Sequence, residues 1–136
     1  MKVFVADDSA MVRRRLVSLI SEVEGVELVG QTGDASDALE AIRRLKPDVV
    51  ILDIRMPGGN GIEALKAIKK EPGAPVVIML TAFPYRQYHH KCLEAGADYF
   101  FDKVTQFDAI PQTLKRLQAR AERGPSTPIQ NRHRGD

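Results

Sequence analysis

Val49-Val50-Ile51-Leu52-Asp53-Ile54-Arg55-Met56-Pro57-Gly58 is the stretch that decides the fold. Four apolar residues, three of them β-branched, run without a polar break into one carboxylate, and turn-forming residues follow. An unbroken Val/Ile/Leu run reads as a strand buried on both faces, as in a parallel sheet. A carboxylate straight after it stands at the strand's carboxyl end, where open α/β sheets place their sites. Burying an aspartate with no partner is costly, so Asp53 is the first functional candidate.

Outward from this run, the same pattern recurs. Lys2 to Ala6 is a short apolar strand that ends in Asp7-Asp8. Ser9 or Asp8 caps a helix in which Val12, Leu16, Leu19, Ile20 and Val23 recur at helical spacing, and Gly25 stops it. Val26 to Gly30 reads as strand two. Asp34 caps a second helix with Ala35, Leu39, Ile42 and Leu45 on one face, closed by Pro47. Strand three is Val49 to Asp53, and a loop to Gly61 leads into a helix carrying Ile62, Leu65 and Ile68. Val76 to Leu80 is strand four, ending in Thr81-Ala82. Pro84 is placed in the first turn of helix four, which runs to Ala95, with Gly96 as its stop. Strand five, Asp98 to Asp102, ends at Lys103, and a fifth helix spans Phe107 to Arg123. Five β-then-α units predict a doubly wound parallel sheet with helices on both faces. Residues 1–123 form this domain, and the Gly/Pro/Ser-rich, then basic, stretch 124–136 reads as a disordered tail.

Composition narrows the function classes. A chain of 136 residues with 43% hydrophobic and 28% charged content suits one globular domain. No apolar run reaches the roughly 20 residues of a membrane span, and acids arrive too early for a signal peptide. One cysteine, Cys92, makes no internal disulfide and reads as a small core residue, so a cytoplasmic location is expected. A net charge of +2 is too small to argue for nucleic acid.

The residues at the strands' carboxyl ends are Asp7 and Asp8, Asp53, Thr81 and Lys103. In a parallel sheet they share one edge, and the aspartates converge if strands one and three are neighbours across a switch point. Three clustered carboxylates repel unless a cation joins them. Oxygen ligands without histidine or cysteine point to a hard divalent ion, Mg²⁺ above all. A lysine and a hydroxyl beside them suit phosphoryl oxygens. The combination predicts phosphoryl transfer to Asp53 as a nucleophilic carboxylate.

Other motifs read more plainly. Gly58-Gly59-Asn60-Gly61 lacks the lysine and Ser/Thr of a P-loop and reads as a turn. His89 and His90 are adjacent and do not share a helix face. Arg13-Arg14-Arg15 reads as a solvated face, or as a docking patch beside the site. Tyr85, Arg86 and Tyr88 are an output surface or exposed decoration.

Asp7-Asp8, Asp53 followed by Met56-Pro57, Thr81-Ala82 and Lys103, in this order at four strand ends, closely resemble the receiver domain of two-component response regulators. The resemblance is to a stand-alone, chemotaxis-type regulator. It implies a flavodoxin-like five-stranded sheet in the order 2-1-3-4-5 with five helices. It implies that Asp53 accepts a phosphoryl group from a histidine kinase or histidine phosphotransfer protein, and that a downstream protein target reads the result. It implies that Asp8, Asp53 and the Arg55 backbone carbonyl ligate Mg²⁺, with Asp7 acting through water. Lys103 would pair with the acyl phosphate, Thr81 would turn its hydroxyl to it, and Phe100 would be the rotating switch aromatic. Arg55 and Phe83 would tune the phosphate's lifetime. A monomer or a weak phosphorylation-dependent dimer is expected, with neither nucleic acid nor membrane as partner. Two departures stand out: Val104 follows Lys103 where the family usually has a cis proline, and Phe100 lacks a hydroxyl. The rivals are a phosphorylation-independent interaction module and a metal-dependent phosphatase. The second lacks its general acid, because Arg55 stands two residues after Asp53.

Overall fold

The computed structural model describes residues 1–123; the tail read at 124–136 lies outside the described residues. Its elements are β1 (Lys2–Ala6), α1 (Ala10–Ser21), β2 (Glu27–Thr32), α2 (Ala35–Leu45), β3 (Val49–Leu52), α3 (Gly61–Lys70), β4 (Val76–Thr81), α4 (Arg86–Glu94), β5 (Tyr99–Asp102) and α5 (Ala109–Glu122). The five strands pair in parallel in the order β2-β1-β3-β4-β5. Between β3 and α3, Arg55–Met56 and Gly59–Asn60 form a short antiparallel ladder.

The apolar runs explain the layers. Successive strand side chains point to opposite faces. Phe4, Ala6, Val50, Leu52, Val77 and Met79 pack with Ala38 and Ile42 of α2, Leu65 and Ile68 of α3, and Cys92 of α4. Val3, Val5, Val49, Ile51, Ile78 and Leu80 pack with Leu16 and Ile20 of α1 and Ile110 and Leu114 of α5. Both faces of β1, β3 and β4 are therefore covered, which is why their sequences show no polar alternation. Each fully buried side chain of this kind contributes about 2 kcal/mol from burial.

Caps set three helix starts. Ser9 Oγ accepts from Val12 N at 3.2 Å, so the cap of α1 is Ser9 and the Asp8 carboxylate is left for other work. Asp34 accepts from Asp37 N at 3.0 Å. Asn60, within the turn expected at Gly58-Gly59-Asn60-Gly61, accepts from Glu63 N at 2.9 Å and starts α3. Replacing Asn60 with alanine is expected to lower stability by about 1 kcal/mol, read as the shift of a urea midpoint.

Several boundaries shift by one or two residues, the start of α5 from Phe107 to Ala109 among them, and two of the differences have a visible cause. Pro84 lies before α4 and not within its first turn, because Tyr85 is the N-cap. Phe83 N donates to Thr81 Oγ1 at 2.9 Å and Tyr85 N donates to Phe83 O at 2.8 Å, a tight turn that delays the helix. Strand two extends to Thr32 and not only to Gly30, because Gln31 and Thr32 still pair with Val5 and Ala6.

Candidate functional site

Parallel pairing of β1, β3, β4 and β5 brings their carboxyl ends to one edge. Ala6 pairs with Leu52, Leu52 with Met79, and Thr81 with Asp102. The ladder continues one residue past the strands: Asp53 N donates to Ala6 O at 2.9 Å, and Lys103 N donates to Thr81 O at 2.8 Å. The backbone therefore fixes where Asp7, Asp53, Thr81 and Lys103 begin.

The side chains converge. Lys103 Nζ lies 2.7 Å from Asp7 Oδ2 and 3.1 Å from Asp53 Oδ2. The other Asp7 oxygen accepts from Ser9 N at 2.9 Å, and Asp53 Oδ1 accepts from Ile54 N at 2.8 Å. Asp7 is 2% exposed and Asp53 is 4% exposed. Asp8 is exposed, and its carboxylate has no protein partner among the described residues. One oxygen from each of Asp7, Asp8 and Asp53 falls within a mutual 4.8 Å.

Burial pushes the Asp53 carboxyl up to about 6, helped by the neighbouring Asp7 charge and opposed by Lys103 and the Ile54 amide. For Lys103, burial acts to lower the ammonium's pKa. The hydrogen bond to Asp7 and the charges of Asp53 and Asp7 outweigh it, and the net direction is upward. Three carboxylates against one ammonium leave negative charge in excess. Two of the four oxygens on Asp7 and Asp53 face Lys103, while Asp8 remains open. This all-oxygen donor set fits a hard divalent cation better than a soft one.

Thr81 is buried on the same edge, but its hydroxyl accepts from Phe83 N and makes no bond to the carboxylate cluster. Phe100 packs on the α4 side of the sheet, as alternation predicts, while Tyr99 and Phe101 pack on the opposite face. The Phe100 ring stacks on His89 at 4.6 Å. Arg55 and Phe83 are direct neighbours: the guanidinium sits 3.9 Å above the Phe83 ring and donates to Tyr88 Oη at 3.3 Å. Tyr88 is thus half-buried and engaged, unlike an exposed decoration. After Lys103 no proline is needed to shape the loop. Asp102 Oδ1 accepts from Val104 N at 2.8 Å, Asp102 Oδ2 accepts from Thr105 Oγ1 at 3.1 Å, and Gln106 Oε1 accepts from Asp102 N at 3.0 Å. This is a side-chain-closed turn.

Two contacts beside the site are not announced by the sequence, although Arg13 is already named there within a solvated face or docking patch. The three arginines are not one solvated face. Arg14 is exposed, and Arg15 stacks 4.0 Å over Phe107. Arg13 donates to the Asp7 carbonyl at 2.6 Å. Its spacing was the available signal, since it lies one turn after the cap Ser9 and so shares the face nearest the strand end. Gly61 is the second. A Cβ there would run into the Asp53 carbonyl oxygen and stand 2.8 Å from the Asp53 carbonyl carbon. No pattern of residue types announces such a contact.

Comparison with known proteins agrees with this geometry. A family model described as the response regulator receiver domain matches residues 3–115. The response regulator GacA of Pseudomonas aeruginosa is 32% identical over 119 residues, covering 87% of this chain and 55% of that one. The chain thus spans about half the length of that curated relative. Among solved structures, the response regulator domain of Thermotoga maritima CheB superposes with a TM-score of 0.77 at 32% identity, over 93% of this chain and 98% of that one. The CheX-CheY-BeF3-Mg+2 complex from Borrelia burgdorferi gives 0.78 at 27% identity, over 86% and 88%. No helix among the described residues is long and apolar enough to cross a membrane. With the order of strands, the acidic edge and the sequence match in agreement, the chain belongs to the response regulator receiver domain family.

Proposed function

We propose that this chain works as a phosphoacceptor in a two-component phosphorelay, with Asp53 as the covalent site. The observation that carries this reading is the Lys103 ammonium bridging buried Asp7 and Asp53 beside an open Asp8 carboxylate. In the reaction, an Asp53 carboxylate oxygen attacks the phosphorus of a phosphohistidine on a histidine kinase or histidine phosphotransfer protein. The new P–O bond forms as the P–N bond breaks. The electron pair leaves on the imidazole nitrogen, which is then protonated by water.

The chain's own residues prepare this step. The Ile54 amide and Lys103 hold the carboxylate in place. Lys103 also places positive charge where phosphoryl oxygens arrive, and such fixed charge lowers the barrier. Asp8 and Asp53, with the Arg55 backbone carbonyl, would hold Mg²⁺, and Asp7 would reach it through water. When bound, the ion neutralises charge on the phosphoryl oxygens. A structural relative solved with Mg+2 supports this assignment. The phosphoryl group adds roughly −1.5 to −2 charge, which attracts the Thr81 hydroxyl away from Phe83 N. Phe100 then leaves His89 and follows Thr81 inward. This changes the α4, β5 and α5 surface, which docks a downstream protein target or passes the phosphoryl group on. The chain acts as a cytoplasmic monomer or a weak phosphorylation-dependent dimer and needs no nucleic acid or membrane.

Incubation with acetyl phosphate and Mg²⁺ is expected to add about 80 Da to the intact protein. Asp53→Asn is expected to abolish the gain. No adduct in the unsubstituted chain, or an undiminished adduct in Asp53→Asn, would overturn the reading.

A further inference from the structure

Of the three consecutive arginines on α1, only Arg13 turns toward the acidic edge. Its Nη1 donates to the Asp7 carbonyl at 2.6 Å, and its Nε donates to Gln31 Oε1 at 3.2 Å. The Asp7 carbonyl and the Asp8 amide belong to one planar unit. A guanidinium fixed on that oxygen therefore fixes the plane from which Asp8 departs. The Asp8 side chain itself is exposed, so what positions it is its backbone.

The seat for this guanidinium is open because residue 33 is glycine. A Cβ on Gly33 would stand 2.8 Å from Arg13 Nη1 and 3.3 Å from Asp8 Cα. Gln31, near the end of β2, anchors the other arm. Arg13 thus spans the ends of β1 and β2, and it makes no ion pair with any carboxylate of the cluster.

We propose that Arg13 is a positioning residue for the metal site, holding the Asp7–Asp8 peptide so that the Asp8 carboxylate stays within reach of Asp53. This rests on the reading of Asp8 and Asp53 as Mg²⁺ ligands. A bare point charge at Arg13 would have the opposite effect, because it would repel the cation and its removal would tighten binding. The planar two-armed donor is what matters, and a lysine does not reproduce it.

The test is a Mg²⁺ titration of the full chain, followed by backbone amide shifts at the site and without any phosphodonor. Thermal midpoints in the absence of Mg²⁺ are recorded for every variant. The unsubstituted chain is expected to saturate. Arg13→Ala and Arg13→Lys are each expected to bind about tenfold more weakly. Gly33→Ala keeps the arginine but fills its seat, and it is expected to weaken binding in the same direction. Arg14→Ala is expected to match the unsubstituted chain. Unchanged or tighter binding in both Arg13 variants would overturn the proposal while leaving the metal reading intact. Weakening that only tracks a lowered thermal midpoint, shared by Arg14→Ala, would overturn it too. No saturable shift in the unsubstituted chain would remove the metal reading, and the positioning role with it.

Discussion

In buffer free of divalent cations, Asp53→Asn is expected to raise the stability of the folded chain at about pH 7.5 by about 2 kcal/mol. The carboxyl stands at about 6 in the fold against an ordinary 3.8, chiefly because it is buried and then because Asp7 lies beside it. Between those two values the folded chain keeps the proton that the unfolded chain has released. Stability therefore falls as pH rises through that window, and the penalty is complete above the folded value. About two pKa units correspond to about 3 kcal/mol. Part of this is returned because a neutral amide interacts less well with Lys103 than a carboxylate does. The gain should fade as the pH is lowered towards 3.8 and vanish below it, where both states of the unsubstituted chain carry the proton. On the proposed metal reading, Mg²⁺ should narrow the difference at neutral pH, because an ion held by the carboxylate form would stabilise it by mass action. Urea midpoints across this range check the prediction. Equal midpoints at neutral pH, or a gain that persists in acid, would show that Asp53 is not held against its charge.

That tension ties the site to the fold. The sheet needs both faces of β3 buried, and the same burial disfavours a charge at its end. Lys103 offsets part of the cost but is shared with Asp7. The remaining imbalance is what a cation or an incoming phosphoryl group would change. Stability and reactivity at Asp53 are therefore expected to move in opposite directions.

Much of this was legible in the residues. The Val49–Leu52 run revealed a doubly buried strand, and the acids, Thr81 and Lys103 at the strand ends followed from parallel pairing. The resemblance singled out Phe100, three residues before Lys103, and alternation set Tyr99 on the opposite face, because neighbouring strand residues must face opposite sides. What stayed hidden was set by contacts between elements, not by periodicity. The seat of Arg13 depends on Gly33 at the end of β2, far along the chain. The late start of α4 depends on Thr81 Oγ1 accepting from Phe83 N, which outweighs proline's preference for a first turn. The stacking of Arg55 on Phe83 joins two loops whose sequence positions suggested related roles but not contact. The loop after Lys103 shows the same limit. The absence of proline was visible, but the use of Asp102 and Gln106 in its place was not.

Gly61→Ala is expected to be among the most damaging single-atom additions in the chain. Gly61 is the first residue of α3, and its N–H donates to the Ile54 carbonyl at 2.6 Å. The helix thus begins against the backbone that follows Asp53. A Cβ there would collide with the Asp53 carbonyl oxygen and lie 2.9 Å from Ile54 Cα. These are backbone atoms, held by the ladder bond from Asp53 N to Ala6 O, and they cannot rotate away as a flexible side chain would. Either the start of α3 or the end of β3 must move, at an expected cost of about 3 kcal/mol. Any shift of β3 carries the Asp53 carboxylate off Lys103 and the Ile54 amide. Phosphorylation by acetyl phosphate should fall at least about tenfold, even in the molecules that remain folded. Gly73→Ala is the control. Its φ is +69° with nothing within 4 Å of the added Cβ, so only backbone strain opposes it. That strain is expected to cost about 1 kcal/mol and to leave the phosphorylation rate unchanged. Equal stability losses in the two variants, or a normal phosphorylation rate in Gly61→Ala, would show that the contact with the Asp53 backbone relaxes without disturbing the site.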